Sequence, residues 1–305
     1  MTEPKVTQLN EKAMLVKLTM RRANLIRRDQ LAEAMIQAQM DDASLVVNSK
    51  LFRDKNNPIN EVLSAMSEVY TYHKKHTIPY VDKGPRILPN NMYMDYTNTM
   101  RSLIAKVDGL LARFLPDWDK YVQLDIYVQL DIAYRSASAV SQGVAPRAKI
   151  EDYPTADEFA TRMGFDMRFL PLPDRKHFLF DISDDDVQNF VQAMQDVEKF
   201  ARTDVVSRML EPLKHLVDKL NRPIGTEKSV FRDSAVENVI EGLEVARKLM
   251  LDDNPEMVQV IKELEQTMGT YNEHKEWLRE SPIVREQAAK KLDDIAKQMG
   301  AFMGA

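Results

Sequence analysis

Along most of this 305-residue chain, apolar side chains return every three or four positions, the spacing that lines one face of an α-helix. The exception comes first. From Ala13 to Met20, Leu15, Lys17 and Thr19 alternate with Val16, Leu18 and Met20, and that period of two predicts an edge strand. Arg21, Arg22, Arg27 and Arg28 follow, leading into a helix predicted from Asp29 to Met40. Asn57-Pro58 combines an N-cap with a proline at the first helical position and starts a helix running to about His76. The proline-punctuated stretch from Thr77 to Asn91 reads as a loop. Helix resumes near Met92 as far as Pro116, and another covers about Asp117 to Ser138.

That last helix carries a tandem duplication: Tyr121 to Ile126 is repeated as Tyr127 to Ile132. A six-residue period leaves successive copies about 120° short of two full turns. Apolar residues therefore surround the helix, which suits a buried or interface segment; a tolerated slippage duplication is the plainer alternative.

After a seam rich in small residues, Ser136 to Pro146, Thr155 and Glu158 form a capping box opening a short helix that Gly164 closes. Phe165 to Leu170 and Phe178 to Ile182 alternate as strands around Pro171 to Lys176, a hairpin that the strand near residue 15 can join. Ser183 and Asp184 to Asp186 then begin a helix with its stripe at Val187, Phe190, Met194, Val197 and Ala201, continued by Leu213, Leu216 and Leu220 beyond a kink at Pro212. Residues 233 to 251 form another helix. Asn254-Pro255 and Ser281-Pro282 start the last two, whose apolar seams have roughly heptad spacing. The fold class expected is mainly α (α+β): long helical hairpins or a bundle with a small antiparallel β element.

Composition narrows the chemistry. There is no cysteine, which excludes disulfides, thiol nucleophiles and thiolate metal sites. Nine glycines are few, against glycine-loop nucleotide sites and all-β folds, while eighteen methionines suit adaptable helix packing. The start at Met1 and the short apolar runs carry neither a signal peptide nor a membrane span, so a cytoplasmic location is expected. The net charge of -5 divides unevenly. Residues 1–150, a basic and mainly helical half, hold 21 Lys/Arg against 16 Asp/Glu; residues 151–305, an acidic half with a β-hairpin and a helical bundle, hold 21 against 31. Such halves attract each other or bind partners of opposite charge.

Phosphate-loop, dinucleotide, serine-hydrolase and zincin motifs are missing. His73 and His76 read as a solvated helix C-terminus, and Asp184 to Asp186 and Asp252 to Asn254 as helix caps rather than cation sites. Asp174-Arg175-Lys176 resembles half of a metal-nuclease site but is explained more simply as a hairpin tip. No catalytic residue, cofactor or metal is expected. The candidate nucleic-acid contacts are Arg21, Arg22, Arg27, Arg28, Lys74, Lys75, Lys83 and Arg86 for phosphates, with Tyr80 and Tyr93 for stacking on unpaired bases. Lys50, Arg53, Lys55, Tyr70 and Tyr72 lie in the same basic islands, which on a long helical protein are more often solvated faces.

The stretch His76-Thr77-Ile78-Pro79-Tyr80-Val81-Asp82-Lys83-Gly84-Pro85-Arg86-Ile87-Leu88-Pro89, ending at Tyr93, resembles the central signature of a family of tailed-bacteriophage proteins of unassigned function. The family pattern is TLPW-x-D-x-G-x-R-x-LP-x-x-x-Y, with Tyr80 here in place of tryptophan. Glu151 to Pro154, Phe165 to Pro173 and Phe231 to Ser234 are similar as well, so the resemblance spans most of the chain. It implies a phage origin and a role in the infected cytoplasm, and carries over no active-site residues. Two functions are expected from these features. One is a non-enzymatic helical interaction protein, an assembly or adaptor factor or an inhibitor of a host protein, with a protein partner or self-association and no membrane. The alternative is a sequence-independent single-stranded nucleic-acid-binding factor of phage replication or recombination.

Overall fold

The computed structural model describes residues 6–29, 33, 37, 46–80, 84–137, 148–173, 184–222, 232–251 and 254–303. The elements, in chain order, are α1 (Val6–Lys12), β1 (Ala13–Arg21), β2 (Ile26–Arg28), β3 (Asn48–Lys50), α2 (Ile59–Lys75), β4 (Ile78–Pro79), β5 (Arg86–Pro89), α3 (Tyr93–Phe114), α4 (Trp118–Ala137), α5 (Ala156–Thr161), β6 (Gly164–Leu170), α6 (Asp184–Leu220), α7 (Ser234–Leu249), α8 (Pro255–Glu273), α9 (Lys275–Glu280) and α10 (Pro282–Ala301). The protein is mainly helical with a small antiparallel sheet. Most of the helix expected at 29–40, most of the seam from Ser136 to Pro146, the second hairpin strand with Asp174 to Lys176 and Ser183, and Asp252-Asp253 lie outside the described residues.

The chain forms two units from interleaved segments. The first takes residues 1–17, 74–97 and 167–305. Its centre is a helical bundle in which α6 packs on α7 and α10, and α8 packs on the same two helices. Buried in it are Leu213 and Leu216 of α6, on the predicted stripe, with Met209 beside them, Val236 and Leu243 of α7, Ile261, Leu264 and Met268 of α8, and Leu292, Ile295 and Met299 of α10; Tyr271 and Val284, at the ends of the roughly heptad seams, are half-buried. Asn254 caps α8, its side chain accepting from Glu256 N, and the Ser281 hydroxyl accepts from Val284 N to start α10. The 37-residue α6 continues through Pro212. Proline lacks the N–H that Arg208 O would receive. Gly242 of α7 lies against that carbonyl, where an added Cβ would stand 3.2 Å from Arg208 O and 3.6 Å from Pro212 Cγ.

Strand order in the sheet is β4-β5-β1-β6. β1 runs antiparallel to β5, with Ala13 opposite Pro89 and Val16 opposite Arg86. β1 is therefore flanked on both sides, which corrects the edge-strand expectation; Leu15 and Val16 are both buried. The proline loop is also corrected. It contains β4 and β5, whose Pro79 and Pro89 stand at strand ends where no ladder N–H is required.

The second unit takes residues 18–73 and 98–166. β2 and β3 form a two-stranded ribbon, Ile26 opposite Lys50. Val62, Met66 and Val69 of α2 and Val107, Leu111 and Phe114 of α3 are buried. The Thr155–Glu158 capping box is formed in both directions. The core is aromatic. Phe52 meets Phe114, Trp118 and Tyr153 edge-on at centroid distances of 6.3, 5.5 and 5.3 Å, and Tyr121 stacks on Phe114 at 5.0 Å.

Candidate functional site

Residues 74–80 and 84–93 take part in a structural clasp within the first unit. Where α2 ends, its last carbonyls need donors, and two guanidinium groups supply them. Arg86 donates from Nε to Thr77 Oγ1 at 2.6 Å and from Nη2 to Thr77 O at 2.8 Å and Lys74 O at 3.3 Å. Arg208 donates to Lys75 O at 2.6 Å and to Thr77 O at 2.8 Å, and is paired with Asp204 at 2.7 Å. Thr77, Ile78, Ile87 and Leu88 are fully buried beneath this clasp. Tyr93 rests edge-on against Phe169 at 5.1 Å, and Lys75 pairs with Glu241. Tyr80 is half-buried, which pushes its phenol above the ordinary value. Lys74 is exposed; Lys83 lies outside the described residues.

The other four candidate cations belong to the second unit, where carboxylates accompany two of them. Arg28 Nε donates to both oxygens of Glu33 at 2.9 Å. This hydrogen bond raises the arginine's pKa and holds the Glu33 carboxyl below the ordinary range. Glu33 also accepts from Val47 N at 2.9 Å. The Arg27 side chain, 12% exposed, lies 3.6 Å from Asp29 and 3.8 Å from Asp152, and Asp29 accepts from the Ser49 hydroxyl at 2.7 Å. Arg21 is exposed, with a long 3.4 Å bond to Thr161 O, and Arg22 is exposed. Arg27 and Arg28 thus share one mixed-charge cluster, which Arg21 and Arg22 do not join. His73 corrects an expectation: it is 3% exposed inside α2, not a solvated cap.

One group was not singled out from the sequence. Asp125 of α4 is fully buried and accepts four hydrogen bonds, from Phe52 N and Arg53 N at 2.7 Å, Gln129 Nε2 at 2.7 Å and Tyr153 Oη at 2.6 Å. Phe52 has φ 55°, a left-handed conformation that costs a bulky residue about 1–3 kcal/mol and persists only when its surroundings impose it. The carboxylate holding two successive N–H groups does so. Burial, followed by this bond to Asp125, drives the Tyr153 phenol far above its ordinary value. The available signal was positional: Trp118, Val122, Asp125 and Gln129 share one helix face.

The first unit also holds a cavity of about 790 Å³. Leu9, Val205 and Met257 line it together with Lys12, Lys199 and Glu198, the last 4.0 Å from Arg202. Its walls carry both signs of charge. Among the described residues no group of three or more His, Asp or Glu is placed to hold a metal, and no helix is long and apolar enough to cross a membrane. Compared with protein-family models, curated proteins and solved structures, the chain finds no match.

Proposed function

We propose that this chain is a non-enzymatic helical interaction protein, an assembly or adaptor factor or an inhibitor of a host protein, acting in the cytoplasm of a phage-infected cell. The observation that carries the reading is the set of large apolar side chains standing in solvent on helices: Met94, Tyr127, Phe200 and Ile283 are 65, 69, 53 and 70% exposed. Single exposed apolar residues are ordinary; these four stand on helices whose opposite sides fill a core, which leaves each of them to a contact outside it. The resemblance of the signature stretch supports the phage setting. Affinity purification from infected cells, with and without nuclease, tests the reading. A stoichiometric protein that co-purifies and survives nuclease is the expected result; recovery of nucleic acid alone overturns it.

The nucleic-acid reading keeps one specific support, the exposure of Arg21, Arg22 and Lys74. Those three exposed cations are its test. Were single-stranded DNA the ligand, binding would fall steeply with salt and weaken in the triple substitution to Ala.

A further inference from the structure

The apolar stripe at the start of α6 runs Val187, Phe190, Met194, Val197 and Ala201. Ala201 is its one small residue, and the cavity of about 790 Å³ in the first unit lies against it. The deep wall comes from five elements. Leu9 of α1, Ile78 of β4, Ala201 and Val205 of α6, Leu249 of α7 and Met257 of α8 line it, and each is buried. The charged lining lies further out: Lys12, Lys199 and Glu256 are exposed, and Glu198 and Arg202 are half-buried, 4.0 Å apart.

That division of the lining selects a ligand chemistry. The volume falls within the roughly 300–1,000 Å³ of small-molecule sites. The six deep side chains offer neither donor nor acceptor. A phosphate, carboxylate or sugar set against them would lose its water with nothing in return, and an extended peptide would leave backbone groups unpaired. The mouth does not call for an ion either. Its described residues are three cations against two carboxylates, and Glu198 stands beside Arg202. The start of α8 is not open to an anion, because the Asn254 side chain already accepts from Glu256 N and Met257 N. We propose that this cavity binds a neutral, largely apolar small molecule, its body against α6 and any polar end at the mouth. Met257, with Met250 beside the mouth, lets the wall adapt to the shape of the guest. The site goes beyond the interaction reading and does not rest on it, since the purified chain binds its ligand whatever co-purifies from cells.

Fluorescence titration of the full chain with phenylnaphthylamine, a neutral apolar dye, tests the proposal. Saturable one-to-one binding is expected, with a dissociation constant on the order of 1–100 μM. Anilinonaphthalene sulfonate, of similar shape but anionic, should bind at least about tenfold more weakly. Ala201→Phe fills the cavity and should weaken the neutral dye at least about tenfold. Ala201→Leu, a smaller fill by a good helix former, should weaken it at least about threefold while its melting temperature stays at or above that of the parent. Lys199→Glu at the mouth should change the neutral dye's affinity by less than about twofold, because an exposed charge hardly acts on an uncharged guest. Binding that does not saturate, equal affinity for the sulfonate, or parent-like affinity in folded Ala201→Leu would overturn the proposal. None of these results bears on whether a host protein is captured, so the two readings fail separately.

Discussion

Asp125 and Asp131 are the same residue of the same hexapeptide, yet one is fully buried with four donors and the other is exposed. Six residues turn the helix through about 240° beyond one full turn, so both copies cannot face the core. Removing the Asp125 carboxylate strands two backbone N–H groups and a tyrosine hydroxyl in the interior. Asp125→Ala is expected to cost about 3–5 kcal/mol in urea unfolding, and Tyr153→Phe about 1–2 kcal/mol. Asp131→Ala should stay within about 0.5 kcal/mol; equal costs at 125 and 131 would contradict the assignment. Glu33 allows a test by pH. Its carboxyl is held below the ordinary 4.5 by the Arg28 hydrogen bond. The stabilisation is complete above that ordinary value and is lost as pH falls through the lowered one. Glu33→Gln should therefore be less stable than the parent near neutrality, the gap narrowing below pH 4.5; a gap independent of pH would show that the pair is not linked to folding. Neither carboxylate could be ranked from sequence, because its partners lie far along the chain: Phe52 is 73 residues from Asp125, and Val47 reaches Glu33 across 14.

At the scale of elements, periodicity located the bundle well. The seams at Ile261, Leu264 and Met268 and at Leu292, Ile295 and Met299 are the buried ones, and the caps at Asn254 and Ser281 are formed. What periodicity hid were short strands made by pairing rather than by pattern. β4 has two residues and β5 four, too few to show alternation, and their prolines read locally as loop. It also could not reveal how helix ends are satisfied at a distance. Arg86 and Arg208 serve the end of α2, and Arg285, 3% exposed with its pKa lowered by burial, donates to Leu220 O at 2.9 Å and to Lys219 O where α6 ends. Among the described helix glycines, an added Cβ meets nothing within 4 Å at Gly109, Gly269 and Gly300, and Gly242 alone has a packing reason. There α7 approaches the carbonyl that Pro212 leaves without its helical donor. Gly242→Val should destabilise by about 1–3 kcal/mol through overpacking, despite any gain in helix propensity. The same change at Gly109, which has nothing within 4 Å of its added Cβ, should be neutral or mildly stabilising. Thermal unfolding of the two variants makes the comparison.

For the whole molecule, interleaving changes the meaning of the charge count. By sequence halves the balance is +5 and -10. By units it is 27 basic against 30 acidic in the first and 15 against 17 in the second, or -3 and -2. The polarity along the chain is thus largely cancelled within each unit, which weakens the argument for a bare polyanion-binding half and leaves individual exposed cations as the relevant feature. Interleaving also makes a cut at residue 150 asymmetric in its effects. It removes Tyr153 and Phe159 from the aromatic core of the second unit, leaving Asp125 without its phenol and Trp118 without the ring 4.6 Å away. It leaves α6, α7, α8 and α10 together in one piece, with the seams that bury one another. Residues 1–150 alone should therefore show helical circular dichroism without a cooperative thermal transition, since residual helix does not require a packed core. Residues 184–303 alone should melt cooperatively, though below the parent, because the clasp from Arg208 to Lys75 and Thr77 is lost. Cooperative unfolding of residues 1–150 would mean that the aromatic core closes without Tyr153 and Phe159, and that the second unit is held instead by α2 and α3.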